Sequence, residues 1–123
     1  INADANMLER AVINLVDNAI KYTPDGGTVE VGVKRTGSQV VVMVRDSGLG
    51  ISPEQQKRLF ERHSRIVRQE HKKIKGSGLG LFIVRSVAQR HGGSAWVESQ
   101  EGQGSTFYLG IPLEGANLIA PRE

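Results

Sequence analysis

Residues 28–50 read TVEVGVKRTGSQVVVMVRDSGLG, and the order of residue types in this stretch decides the fold. From residue 28 to 34 valines alternate with Glu30, Gly32 and Lys34, the period of a half-buried strand. Thr36-Gly-Ser38 is a turn, and residues 39 to 45 read as the antiparallel partner. The hairpin therefore ends on Asp46 and runs into the glycine cluster Asp46-Ser-Gly-Leu-Gly50. Glycine brings backbone close to a neighbour because no Cβ intervenes. Two further clusters follow, Gly76-Ser-Gly-Leu-Gly-Leu81 and Gly102-Gln-Gly-Ser-Thr-Phe107, and the recurrence points to a surface built to touch a nucleotide.

Working outward, Leu8, Ala11, Val12, Leu15, Val16 and Ala19 recur at helical spacing after a capping Asp4, which predicts a helix from about residue 5 to 22. Pro24 and the Asp25-Gly-Gly27 turn end it. Ser52-Pro-Glu-Gln55 places a capping serine before a proline at the first helical position, opening a short helix through about residue 62. Residues 63 to 78 carry little pattern. Gly80, Ile83, Val84, Val87 and Ala88 form another helix, stopped at Gly92-Gly93. Closing strands over about 94–99 and 105–111 flank the Glu101-Gly-Gln-Gly104 turn. This order predicts an α+β two-layer sandwich, its mixed, mainly antiparallel sheet covered on one face by about three helices. The expected organisation is one domain over residues 1–113, with a lid at about 52–78 and a frayed tail over 114–123.

Composition narrows the function classes. A chain of 123 residues without cysteine has no disulfide or thiolate metal site, and its three scattered histidines lack zinc spacing. There is no apolar run of bilayer length and no signal-peptide pattern, so a cytoplasmic piece is expected, and Ile1 in place of Met suggests an excised fragment. The formal charge of +3 is uneven: residues 52–75 hold eight Lys/Arg against three Asp/Glu. That excess fits either a solvated helix face and loop or an electropositive lid over an anion. Nucleic acid is not an expected partner, because three Phe, two Tyr and one Trp show no alternation with basic residues.

At about 100° per residue, Asn14, Asn18, Lys21 and Tyr22 fall along one border of the first helix's apolar stripe. They are either a wetted polar border or the edge of a ligand groove. Amide oxygens suit Mg²⁺, which keeps much of its shell as water and substrate phosphate, and a lysine meets phosphate as a point charge. Asp46 is likewise either an Asx turn or a pocket carboxylate that accepts the adenine amino hydrogens. The Gly76 cluster precedes a helix whose free amides face phosphate oxygens, or else it is a plain joint. The usual phosphate-loop signatures of parallel α/β folds are absent.

Taken in order, the Asn14/Asn18 helix, the Asp46 cluster, Phe60, the Gly76 cluster and the Gly102 turn resemble the catalytic and ATP-binding domain of sensor histidine kinases. The likeness spans about residues 4 to 113, and His91-Gly-Gly93 and Trp96-Val-Glu-Ser99 match the family's connection between glycine boxes. The resemblance implies the Bergerat ATP-binding fold of the GHKL superfamily, with ATP and Mg²⁺ as cofactors. It implies Asn18 as metal ligand, Asn14 as support for metal and phosphates, and Lys21 and Tyr22 as nucleotide contacts. It implies Asp46 at the adenine amino group, with Thr106 near the base. Gly48, Gly50, Ile51, Phe60, Gly76, Ser77, Gly78, Leu79, Gly80 and Leu81 complete the implied ATP-binding set. His63 stands where a second phenylalanine is common, and Lys75 replaces a frequent glycine.

Hydrolytic relatives carry a water-activating glutamate where this chain has Asn14, and an amide cannot accept a proton near neutral pH. The expected activity is therefore γ-phosphoryl transfer to a histidine, with Asn14 and Asn18 as catalytic residues. None of His63, His71 and His91 sits in the family's acceptor context, so the acceptor is expected in an upstream dimerisation domain. A cognate response regulator would follow, and the isolated fragment is expected to be a monomer. The alternatives are a serine-directed kinase of the anti-sigma-factor type and an ATP-binding module without turnover.

Overall fold

The computed structural model describes residues 3–60 and 80–113. Helix α1 (Ala5–Lys21) begins where the Asp4 side chain accepts the Met7 N–H at 3.1 Å, one of the donors a helix start leaves unpaired. Its inward stripe is Ala11, Leu15 and Ala19, all fully buried, and the two alanines let neighbouring elements approach closely. The chain then turns through Gly26, at φ +89°, into strand β1 (Val29–Thr36). A two-residue turn, Gly37-Ser38 with Gly37 at φ +62°, leads to β2 (Gln39–Asp46). The register runs from Thr36 opposite Gln39 to Val29 opposite Asp46.

Helix α2 (Pro53–Gln56) opens on the Ser52 cap as expected, the serine Oγ accepting the Gln55 N–H at 3.3 Å. It ends well before residue 62. Beyond Gln56 the Arg58 and Leu59 N–H groups bond three residues back, to Gln55 and Gln56, and this tighter winding brings Leu59 into the core at 3% exposure. Helix α3 (Gly80–Arg90) stops in a Schellman motif: the Gly93 N–H reaches the Ala88 carbonyl at 2.8 Å, and Gly92 takes φ +77°. Strands β3 (Ser94–Ser99) and β4 (Ser105–Pro112) follow.

The sheet order is β1-β2-β4-β3, and every pairing among the described strands is antiparallel, narrower than the mixed sheet expected. Helix α1 lies over β2, α3 lies over β3 and β4, and the two helices pack against each other. Between the layers sit Leu15, Val44, Val84, Phe107 and Leu109, each contributing roughly 1.5–3 kcal/mol through burial. His91 fastens the end of α3 to the start of α1. Its Nδ1–H donates to the Val87 carbonyl at 2.8 Å and its Nε2 accepts the Asp4 N–H at 3.0 Å, so the neutral tautomer is the one both bonds require. On the face opposite these helices Trp96 stacks on Tyr108 with centroids 5.0 Å apart. The Tyr108 hydroxyl donates to Glu98 at 2.7 Å, and that bond holds its pKa above the ordinary tyrosine value.

Candidate functional site

The site forms where the C-terminal end of β2, the start of β4 and the end of α1 converge. Asp46 arrives there because β2 alternates: Val44 and Asp46 share the helix-facing side, opposite Phe107 and Ser105 of β4. Asp46 as a residue is only 8% exposed. Its Oδ1 accepts the Gly48 N–H at 2.8 Å, and the Ser105 N–H also donates to the carboxylate. Asp46 thus closes an Asx turn and also lines a recess. Burial pushes its pKa above the ordinary 3.8, and outweighs the lowering by the two N–H donors. An ionised carboxylate offers about four lone-pair positions, so two backbone donors leave acceptor capacity for a ligand.

The loop after Asp46 is held by side chains that belong to none of the expected site residues. Ser99 Oγ accepts the Ile51 N–H at 2.8 Å and lies 2.9 Å from the Gly104 carbonyl and 2.8 Å from Ser105 Oγ. One hydroxyl hydrogen serves one acceptor, so when Ser99 donates to Gly104 it is Ser105 that donates to Ser99. The Gln56 side-chain amide bridges the Ile51 and Ser99 carbonyls at 2.8 and 3.1 Å. The Gly102 N–H meets the Leu49 carbonyl at 2.6 Å. The β3–β4 turn and the Asp46 loop therefore form one backbone-bonded ledge.

Glycine is needed here for the protein's own packing. A Cβ on Gly50, at φ +76°, would collide with the Gln100 carbonyl, and one on Gly104, at φ +89°, would strike the Asp46 carbonyl. At Gly48 it would stand 2.6 Å from the Tyr22 carbonyl and 2.9 Å from Asp46 Oδ1. Chain crosses chain at these points, which leaves no room for side chains.

Asn18, Tyr22, Asp46, Leu49, Gly50, Ile51, Ser105 and Phe107 line one recess with about 20 Å³ of space, room for a single water molecule beside the carboxylate. Five expected site residues, Asn18, Tyr22, Asp46, Gly50 and Ile51, meet there. Phe60 packs edge-on against Phe107, centroids 6.3 Å apart and planes at 70°, and so anchors the exit of the loop on the recess wall. Gly80 opens α3 beside Asn14, whose Oδ1 would be 3.7 Å from a Cβ at residue 80, and Leu81 packs on the core in the same turn. Asn14 thus faces the start of α3, and Asn18, one turn further along α1, lines the recess. Gly76, Ser77, Gly78 and Leu79, and the basic residues between 62 and 75, lie outside the described residues.

Two of the expected residues lie away from the recess. The Lys21 ammonium stands 3.8 Å from Asp17 on the exposed side of α1, outside the recess, as an i, i+4 surface pair. Thr106 faces the other side of the sheet, opposite Arg45 and Glu98, and lines a shallow groove with Gln100 and Gln103 that Asp46 and Ser105 also border. A strand reverses face at each residue, so the one-residue difference puts Ser105, buried and bonded to Asp46, in the place expected for Thr106. Among the described residues there is no cluster of His, Cys, Asp and Glu able to hold a metal, and Asp46 is the one carboxylate on the recess. No helix among them is long and apolar enough to cross a membrane.

Comparison with known proteins agrees with this geometry. Residues 3–115 match the family described as histidine kinase-, DNA gyrase B- and HSP90-like ATPase. The adaptive-response sensory kinase SasA of Rippkaea orientalis is 43% identical over 92% of this chain and 29% of its own length. The sensor-like histidine kinase SenX3 of Mycobacterium bovis is 45% identical over 89% of the chain and 27% of its length. The chain thus spans under a third of these relatives. Among solved structures, the mycobacterial sensor histidine kinase MprB superposes with a TM-score of 0.80 at 32% identity, covering 91% of this chain and 76% of that one. Full-length ShkA in complex with AMPPNP gives 0.77 at 31% identity, covering 89% of this chain and 22% of that one. By sequence and by fold, this chain belongs to the histidine kinase-, DNA gyrase B- and HSP90-like ATPase family.

Proposed function

We propose that this domain binds ATP with Mg²⁺ and donates its γ-phosphoryl group to a histidine on a dimerisation domain of the same protein, which then passes it to a response regulator. The carrying observation is Asp46, a buried acceptor with spare lone pairs above a water-sized recess. Such a carboxylate accepts from the exocyclic amino group of adenine and repels the O6 carbonyl of guanine, while a water in the recess links it to the ring nitrogens. The AMPPNP bound by the ShkA relative supports the same ligand class.

From the base, the phosphates would run along α1 past Asn18 toward Asn14, where Gly80 begins α3. The donor set fits Mg²⁺, since neutral amide oxygens with phosphates and water make its usual shell, and Asn18 would hold it with Asn14 in support. When bound, that ion neutralises phosphate charge. The chain's own part is to fix the base through Asp46 and to present a chain of phosphates beside two amides that cannot deprotonate water. The acceptor imidazole nitrogen forms the P–N bond as the bond to ADP breaks, and the imidazole proton passes to solvent. Incubation with γ-labelled ATP and the acceptor-bearing domain tests this. Acid-labile, base-stable label on that domain is expected. Acid-stable label would instead mark serine transfer, and binding without label would leave an ATP module.

A further inference from the structure

We propose that Ser99 is a positioning residue for nucleotide binding: it draws the Ser105 hydroxyl hydrogen to itself and so keeps the recess side of the Asp46 carboxylate open to the adenine amino group. Its use for a nucleotide rests on the ATP reading, whereas the direction of the hydrogen bonds stands without it. That direction follows from the hydrogens available. Ser99 Oγ lies 2.9 Å from the Gly104 carbonyl and 2.8 Å from Ser105 Oγ, and it accepts the Ile51 N–H at 2.8 Å. A carbonyl brings no hydrogen, so two oxygens 2.9 Å apart attract only if Ser99 supplies one. The Gly104 carbonyl also receives the Gln100 N–H, but at 3.5 Å, the long limit of a hydrogen bond. The Ser99 hydrogen is thus committed to Gly104, and the hydrogen between the two serines comes from Ser105. Backbone fixes both partners. Gly104, at φ +89°, packs on the Asp46 carbonyl with no room for a Cβ, and the Gln56 amide holds the Ser99 carbonyl at 3.1 Å.

Without Ser99 the same hydroxyl has a stronger acceptor beside it. Ser105 stands directly across from Asp46 in the β2–β4 ladder, which sets their Cβ atoms about 4.5–5.5 Å apart, and both residues line the recess. A hydroxyl turned off Ser99 reaches a carboxylate at that spacing. Hydrogen bonds to a charged acceptor are roughly twice as strong as those between neutral groups, so a released Ser105 turns to Asp46. That carboxylate already receives the Gly48 and Ser105 N–H groups. A third donor from the recess side leaves one of its about four lone-pair positions, and the base amino group has to compete for the rest. The bond to Ser99 prevents this. Ser105 then turns only lone pairs toward the recess, and Asp46 keeps its free acceptor positions for a ligand.

Ser99→Ala releases the Ser105 hydroxyl, Ser99→Ala with Ser105→Ala removes it as well, and Ser99→Thr keeps the bond. Titration of the Asp46 carboxyl carbon by NMR in the nucleotide-free chain is the first test. Its midpoint should fall in Ser99→Ala, because a new O–H donor favours the charged form, and should not fall in the double variant or in Ser99→Thr. A merely loosened fold hydrates the carboxylate whether or not Ser105 has its hydroxyl, so equal falls in the single and double variants overturn the proposal, as does an unchanged midpoint in Ser99→Ala. In the parent chain, Hα–Hβ couplings should show Ser105 in a single χ1 rotamer; averaging between rotamers overturns the proposal without any variant having to fold. Calorimetric titration with ATP is the second test. Ser99→Ala should weaken binding about tenfold in the parent and less than about threefold in the Ser105→Ala background. Equal losses in both backgrounds overturn the positioning role. A parent chain that binds no ATP sinks the ATP reading instead, and the carboxyl titration still decides the hydroxyl direction.

Discussion

Replacing Asp46 with asparagine separates what this residue does for the fold from what it does for a ligand. In the fold the Oδ1 of asparagine still accepts the Gly48 N–H, and a charge in a site only 8% exposed disappears. The Ser105 N–H, which also donates to the carboxylate, loses its charged acceptor, so the two changes offset and the domain should stay within about 1 kcal/mol of the parent. Toward adenine the loss is large: with its oxygen turned to Gly48, the amide presents N–H to N–H. The lost charged hydrogen bond and an unsatisfied adenine amino group together amount to about 3–4 kcal/mol, or about 10²–10³-fold in Kd. Discrimination against GTP should collapse as well, because the new N–H complements the guanine O6. The pH dependence follows from the raised carboxyl. Its folded pKa exceeds the unfolded 3.8, so its stabilising contribution is complete below 3.8 and is lost as pH rises through the raised value. The asparagine variant should lack that slope. Calorimetric titration with ATP and GTP, alongside urea melts across the same pH range, reads both effects. ATP affinity within threefold of the parent would refute the reasoning.

Four further outcomes are expected. Ser105→Val should weaken ATP binding and loosen the ledge through Ser99, while Thr106→Val, on the other face, should leave the nucleotide titration unchanged; the reverse pattern would return the role to Thr106. Gly50→Ala forces a side chain into positive φ against the Gln100 carbonyl and should cost at least about 3 kcal/mol in a urea melt. His91→Phe strands the Asp4 N–H, while the Val87 carbonyl keeps the backbone N–H of residue 91, and should lower stability by about 1–3 kcal/mol, seen as a drop in Tm without loss of nucleotide affinity once folded. Asn18→Ala should reduce Mg²⁺-dependent phosphotransfer about 10²-fold while adenine-dominated ADP binding persists, and undiminished labelling would remove its metal role.

Local chemistry was readable from residue order alone. The Asp4 and Ser52 caps, the two hairpins, the Gly92-Gly93 stop and Asp46 at a strand end each depend on neighbours within a few residues, and each lies where the pattern put it. Contacts between distant segments were not readable. Gln56 and Ser99 are 43 residues apart and look like ordinary surface polar residues, yet they tie the Asp46 loop to the sheet. The glycines were recognised, but their need for bare backbone arises from chain crossings at Gln100 and Asp46 that only the tertiary fold creates. The place given to Thr106 had a signal against it in the sequence. Phe107 is an apolar anchor, and strand alternation puts Ser105, not Thr106, on its side. Nor does alternation along residues 28 to 34 say that β1 is outermost among the described strands, where Val31 and Val33 stay exposed.

The central claim is that Asn14, lying where a hydrolase carries a carboxylate, makes the ATP a phosphodonor. A single-turnover experiment with γ-labelled ATP, Mg²⁺ and the acceptor-bearing domain, separating phosphohistidine from free phosphate over time, tests it most directly. Label should reach the acceptor histidine well before free phosphate accumulates. Free phosphate forming faster than phosphohistidine would contradict the account.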